Sequence, residues 1–247
     1  MTTHATSDKQ WTENELDGLM VEGQFRLRGL EVTRLDTFID AAFAFVLTLL
    51  IISFDEIPST YAELMLAVKR IPAFACSFLV IMMFWLRHRR LSRRYGLENF
   101  RSILLSLALV FVVLVYVYPL RIIFEAMFYS LSGGYLPSSF RIQTIDELRG
   151  IFAFYSMGFF AMSLIISQLY RVALRSSTSL GLNQFERRIT KLGMQVWAVA
   201  ASFGPLVIVL MFVLPDAWVS YAGYVYFGLF LAMRLPGFLD RRSNAKA

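Results

Sequence analysis

Six apolar runs, separated by short polar and charged segments, lie along the chain at about 37–54, 71–86, 102–118, 151–170, 194–214 and 218–235, the third reaching 128 in its longest reading. Crossing the hydrocarbon core of a bilayer takes roughly 20 apolar residues as a helix. Lipid cannot hydrogen-bond an exposed backbone, so each run is expected to close on itself as a helix. The pattern predicts an all-α, polytopic integral membrane protein with six transmembrane helices per chain. Breaks are written between the runs. Pro58 follows the first, Ile71-Pro72 opens the second, Gly133, Gly134 and Pro137 mark a loop, and Pro215 separates the last two runs in a tight hairpin. Thr144-x-x-Glu147 and Asn183-x-x-Glu186 read as capping boxes opening the helices that lead into runs four and five.

Composition supports a chain that alternates between water and lipid. Hydrophobic residues make up 57% of the 247, charged residues only 17%, and mean hydropathy is +0.57. A soluble domain of this size could not cover so much apolar side chain. Lys and Arg divide unevenly between the two sides that six crossings create. The segments up to 34, 87–101, 171–191 and 234–246 hold 19 of the 24, while Lys69, Arg70, Arg121, Arg141 and Arg149 make up the other five. The excess predicts that both termini and the two basic loops face the cytoplasm of a cell (inner) membrane. Trp85, Tyr118, Trp218, Tyr221 and Tyr224 sit at run ends, as interfacial aromatics do. The first thirty or so residues are acidic and lack the apolar core and cleavage site of a signal peptide. The expected organisation is a cytoplasmic N-terminal tail at 1–33 that includes a short amphipathic turn, a membrane domain at 34–240 and a cytoplasmic C-terminal tail at 241–247.

The same residues exclude several function classes. One cysteine, Cys76, rules out an intrachain disulfide, and with only His4 and His88 a His or Cys metal cage is not expected. There is no H-E-x-x-H, G-x-S-x-G or Walker loop, so neither enzyme chemistry nor a cofactor is expected. The net charge of +6 is explained by orientation and anionic lipid rather than by nucleic acid. Ser132-Gly133-Gly134-Tyr135 reads as an outer turn.

Ionisable groups in or beside a span are the remaining candidates for function. Arg34, Asp36 and Asp40 open the first run, Arg87 and His88 close the second, Arg121 and Glu125 are four apart near the far end of the third, and Arg234 ends the sixth. Long side chains near helix ends reach the interface easily, so Arg87, Arg121, Glu125 and Arg234 read as interfacial anchors and packing partners. Asp40 is too short for that and needs a donor, which His88 or the Trp85 indole could supply. At 100° per residue Phe38, Phe45, Leu49 and Ile52 share a stripe with Thr48 at its margin, and Asp40 points about 200° away from Phe38.

The segment Arg34-Leu35-Asp36-Thr37-Phe38-Ile39-Asp40 resembles the R-x-x-x-F-S-D signature of the transmembrane protein 175 family, the endosomal/lysosomal potassium channels and their bacterial relatives. Residues 41–50 are similar to the family's F-A-I-A-I-T-L-L continuation, and Trp85-x-x-His88-x-x-Leu91 resembles a second family pattern. The resemblance implies a potassium-preferring cation channel built as a homotetramer of six-span subunits, with the first helix of each lining the pore. It places an apolar constriction at Phe45, a hydroxyl ring at Thr48 and further pore-facing positions at Leu49 and Ile52. It assigns Arg34, Phe38, Asp40, Trp85 and His88 to a set that locks this helix in place. It names monovalent cations, membrane lipid and further copies of the chain as partners, with potassium as the permeant ion. Two positions depart from the pattern: Ile39 stands for the motif Ser, and Phe45 for the usual Ile or Leu.

A secondary transporter and a non-conducting membrane structural protein are the competing readings. Carriers favour broken helices at matching positions of two halves, and Pro119 and Gly204-Pro205 do not correspond. A membrane enzyme would need a polar constellation, for which only Arg34, Asp40 and His88 qualify.

Overall fold

The computed structural model describes residues 10–52, 58–140, 142–219 and 221–237, apart from the side chains of Ile52 and Phe230. It is predominantly helical. A short helix α1 (Glu13–Asp17) and a two-stranded hairpin, β1 (Val21–Glu22) with β2 (Phe25–Arg26), precede α2 (Arg34–Ile52), α3 (Tyr61–Lys69), α4 (Ile71–Tyr95), α5 (Phe100–Leu131), α6 (Ile145–Arg175) and α7 (Gln184–Val213). Among the described residues four helices, α4 to α7, are long and apolar enough to cross a membrane. The chain is therefore a multi-pass membrane protein.

The helices outrun the apolar runs because their caps lie several residues outside them. Asn99 accepts from the Ser102 amide to open α5, Thr144 from Glu147 to open α6, and Asn183 with Glu186 forms a reciprocal box on α7. Gly96 ends α4 in the left-handed region, which a residue without Cβ adopts freely. Over α3 the Thr60 cap is matched by Glu63, and hydrogen bonds from Ser59 and Thr60 hold that carboxyl below the usual carboxylate range.

Helices α6 and α7 form the tightest pair, α5 packs on α6 and α4, and α2 lies against α4 and α5. At Gly204 an added Cβ would fall 2.6 Å from Phe160 Cβ and from the Ser156 carbonyl, so a bare glycine lets the α6 and α7 backbones approach. Phe84 of α4, Phe159 of α6 and Trp197 of α7 fill the centre, with ring centroids 6.0 Å and 5.4 Å from Phe84.

Three regions differ from the sequence expectation. The 218–235 run is not one continuous helix: it forms α8 (Asp216–Val219), a 3-10 stretch (Ala222–Gly228) and α9 (Leu229–Ala232). Three residues per turn eclipses every third side chain. That aligns Trp218, Tyr221, Tyr224 and Phe227 in a ladder of rings 5.6, 6.1 and 5.9 Å apart. Tyr226 points the other way and donates to Ser156 on α6 at 2.9 Å.

Of the two roles expected of Arg121 and Glu125, the fold realises packing partner and not interfacial anchor. Both are buried, paired at 2.8 Å, and Glu125 also accepts from the Ser139 amide and hydroxyl, tying the 132–140 loop to α5. A short carboxylate buried beside an arginine is satisfied by that loop, which lies too far along the chain for helical spacing to reveal.

The third difference is at the N-terminus, where residues 11–29 dock on the helix ends instead of trailing away. The Trp11 amide donates to Ser179, Phe25 and Leu27 are buried, and Gly29 bonds the Arg93 carbonyl at 3.0 Å. The ends of α4 and α6 and the starts of α2, α5 and α7 meet there, at the basic end of the bundle.

Candidate functional site

The first turn of α2 is built by Thr33 and Asp36. The Asp36 amide donates to the Thr33 hydroxyl at 3.1 Å, and Asp36 Oδ2 accepts from the Thr33 amide and hydroxyl at 3.2 and 3.0 Å. The other carboxylate oxygen accepts from Ser92 on α4 at 2.5 Å. One acid thus caps its own helix and fastens it to the next.

Beyond the cap, α2 has two unlike sides. Ile39, Phe43, Val46 and Leu50 recur at helical spacing and are buried against α4 and α5, Ile39 at 0% and Phe43 at 2% exposure. On the other side Thr37, Ala41, Ala44 and Thr48 are exposed, flanked by Phe38 at 53% and Phe45 at 55%. Thr48 lies nearer the centre of this unpacked face than stripe geometry alone placed it, and Leu49 turns half-buried toward the core. The backbone of Ile52 is the last described turn of α2, and its side chain lies outside the described residues. The Thr48 hydroxyl donates to the Phe45 carbonyl at 2.7 Å.

The supporting side chains fall into two layers. The Trp85 indole N–H donates to Asp40 Oδ1 at 2.7 Å, and the Arg89 guanidinium lies 5.3 Å over the same ring. His88, one turn on, does not meet Asp40; its Nε2 shares a 2.9 Å hydrogen bond with Ser106 on α5. Arg34 projects outward, and among the described residues it has no hydrogen-bond or ion-pair partner. Phe38 likewise lies on the open face, away from Trp85 and His88. Asp36, His88, Ser92, Ser102 and Ser106, together with Leu35, Leu91 and Leu169, line a cavity of about 40 Å³ beneath the segment that leads into α2.

Sequence reasoning missed Ser92 and Ser106, isolated hydroxyls on apolar helices, and the buried pair of Arg28 with Glu186. A signal for the hairpin that carries Arg28 was present. Val21, Phe25 and Leu27 alternate with Glu22, Arg26 and Arg28 around Gly23-Gln24, the two-residue loop whose φ angles are both positive, +56° and +71°. Among the described residues no three His, Cys, Asp or Glu side chains converge to hold a metal ion.

Helix α2 is thus packed on one side and leaves Phe38 and Phe45 uncovered by its own chain on the other. The family model for the endosomal/lysosomal potassium channel TMEM175 matches residues 34–119, which run from α2 into α5. A Marivirga tractuosa protein named as a potassium channel is 33% identical over 215 residues, covering 82% of this chain and 85% of its own. The chain belongs to the TMEM175 family. The fold agrees. A crystal structure of a variant of the potassium channel MtTMEM175, in complex with a nanobody–MBP fusion, superposes with a TM-score of 0.78 at 28% identity. It covers 90% of this chain and 99% of that one. Within the family match lie both Arg34–Asp40 and Trp85–His88, the segments whose side chains meet at Asp40.

Proposed function

We propose that this protein is a potassium-preferring cation channel, assembled as a homotetramer of six-span subunits in the cell inner membrane with both termini in the cytoplasm. Helix α2 of each subunit lines the path, Phe45 narrows it, and Thr48, Leu49 and Ile52 continue the wall. Arg34, Phe38, Asp40, Trp85 and His88 hold the helix in place, directly or through the neighbouring subunit. The protein is no enzyme and uses no cofactor; potassium is what it passes. The observation that carries the reading is the open apolar face of α2, with Phe38 and Phe45 more than half exposed on a helix whose opposite side is fully packed. An apolar neck replaces none of the hydration shell that an ion must shed, so passage there is governed by width and wetting.

The test is potassium and sodium flux through the purified protein in liposomes, together with its oligomeric mass in detergent. Potassium flux exceeding sodium flux in a four-copy particle supports the channel. A monomer that carries neither ion removes it. Orientation is checked with reporter fusions: positions 95, 180 and 247 are expected to read as cytoplasmic, and 60 and 138 as external.

A further inference from the structure

The segment ahead of α2 is fastened more firmly than any contact needed to hold a tail. Arg28 and Glu186 are both 0% exposed at their side chains and bonded as a fork, Nη1 to Oε1 at 3.2 Å and Nη2 to Oε2 at 2.9 Å. The other three guanidinium bonds go to the carbonyls of Leu180 at 2.7 Å, Arg26 at 3.0 Å and Gly181 at 3.4 Å, so all five Arg28 N–H donors are used. Glu186 is equally full, accepting from the Arg26 amide at 2.8 Å and the Asn183 amide at 3.1 Å as well. The network reaches α4, because the Glu186 carbonyl accepts from Thr190, whose Oγ1 lies 2.8 Å from the Tyr95 hydroxyl.

Six residues after Arg28 the pore helix begins. Gly29 crosses the end of α4 at Gly96, where a Cβ on Gly29 would lie 2.9 Å from Gly96 Cα, so no side chain fits between the two backbones. Asp36 is bonded to Ser92 on that same end of α4. The first turn of α2 therefore cannot shift against α4 and α7 without drawing on the 28–33 segment. The far end of that segment is a fully paired buried charge, which strongly resists being pulled apart.

We propose that Arg28 and Glu186 are a positioning pair for α2: they anchor the strap formed by 25–33 to α7, fix where the pore helix starts, and thereby set how freely ions pass. This rests on the reading of α2 as the pore helix. The pair touches no ion; it acts through the strap.

The experiment uses the full-length protein in phosphatidylcholine–phosphatidylglycerol vesicles. Glu186→Gln, the double variant Arg28→Met with Glu186→Met, and Arg28→Lys are compared with wild type and with Phe45→Ala. Potassium flux is measured beside amide hydrogen exchange of residues 30–40 and of the middle of α6. In Glu186→Gln and the double variant, exchange over 34–38 is expected to rise about tenfold or more while mid-α6 is unchanged, since local opening is read separately from global unfolding. Potassium flux is expected to change at least about threefold in either direction as the neck geometry alters. Arg28→Lys, which keeps the charge and loses the fork, falls between them. Where Glu186→Gln does not fold, the double variant decides, because it leaves no unpaired charge buried. A folded double variant with wild-type exchange in α2, or with raised exchange and wild-type flux, overturns the proposal. Raised exchange in variants of a protein that passes no potassium, even as Phe45→Ala, overturns the pore reading and leaves the positioning of α2 by the pair standing.

Discussion

The two sides of α2 are built from nearly the same residues and face opposite tasks. Ile39, Phe43, Val46 and Leu50 are sealed against α4 and α5, while Phe38 and Phe45 lie open at more than half exposure. Phe43 and Phe45 are two residues apart, so a helix sends them to different sides. Neither hydrophobicity nor size separates them; only the neighbours do. The comparison teaches that in a membrane helix an apolar side chain carries no address, because lipid, a packed core and an apolar path accept the same residue. What distinguishes the sides is the polar minority: Asp36 bonds Ser92 and Asp40 bonds Trp85, both across to α4.

The largest test of the comparison is to remove each ring in turn. Phe43→Ala leaves a cavity in a packed site and is expected to cost about 3–5 kcal/mol of stability, read as a large fall in the melting temperature of the purified protein. Phe45→Ala removes a ring that nothing in its own chain surrounds, and the subunit's stability is expected to move by no more than about 0.5 kcal/mol. Its effect should appear in flux instead. Potassium flux in proteoliposomes is expected to rise several-fold, with weaker discrimination against sodium, and Phe45→Asn should raise it further because a polar side chain wets the neck. If Phe43→Ala opens the path and Phe45→Ala only destabilises, the two sides have been exchanged.

How far these sides were legible in the sequence follows from the kind of signal each uses. Part of the rotation of α2 was legible because 3.6-residue spacing is local: it put Phe38 and Phe45 on one face and Phe43 away from them, while Thr48, expected at the margin, lies on the open face and Leu49, expected on the stripe, is half-buried. The Trp85 donor for Asp40 was within reach, since the end of run two and the start of run one had to meet. Ser106 beneath His88 and Ser139 on Glu125 were not, because neither a hydroxyl on an apolar helix nor one in a loop has a spacing that marks its partner. The last run has the hydropathy of a span, and hydropathy carries no signal for its division among α8, a 3-10 stretch and α9.

Asp40 gives the next, smaller effect. Its carboxylate accepts from the Trp85 indole at 2.7 Å while remaining partly open on the chain's surface. Asp40→Ala removes this hydrogen bond, at an expected cost of about 0.5–1.5 kcal/mol for a bond open to solvent, and frees the helix to rotate about its axis. Asp40→Asn keeps an oxygen in place and is expected to lose less than half as much. Oligomer melting by size exclusion after heating separates the two. A Trp85→Phe change should bring Asp40 and Asp40→Ala to the same stability, and if it does not, the bond at Asp40 is not what holds the rotation.

Thr48 offers the finest distinction between the sides. A threonine hydroxyl in a helix commonly bonds a carbonyl of the preceding turn, as buried Thr190 does with Glu186. The Thr48 hydroxyl likewise donates to the Phe45 carbonyl of its own helix at 2.7 Å, so its proton is already committed and both lone pairs of the oxygen remain available on an exposed residue. An oxygen in that state can accept a cation's field without giving up a hydrogen bond. Thr48→Val keeps the shape and removes the oxygen, and Thr48→Ser keeps the oxygen and removes a methyl group. Both are expected to leave stability within about 0.5 kcal/mol of wild type. Thr48→Val should lower the potassium-to-sodium flux ratio by about twofold, the scale of one weak oxygen contact among several, while Thr48→Ser preserves it. Equal ratios in the two variants would mean that this oxygen meets no ion, and would leave passage at this level of α2 to the width of the Phe45 neck.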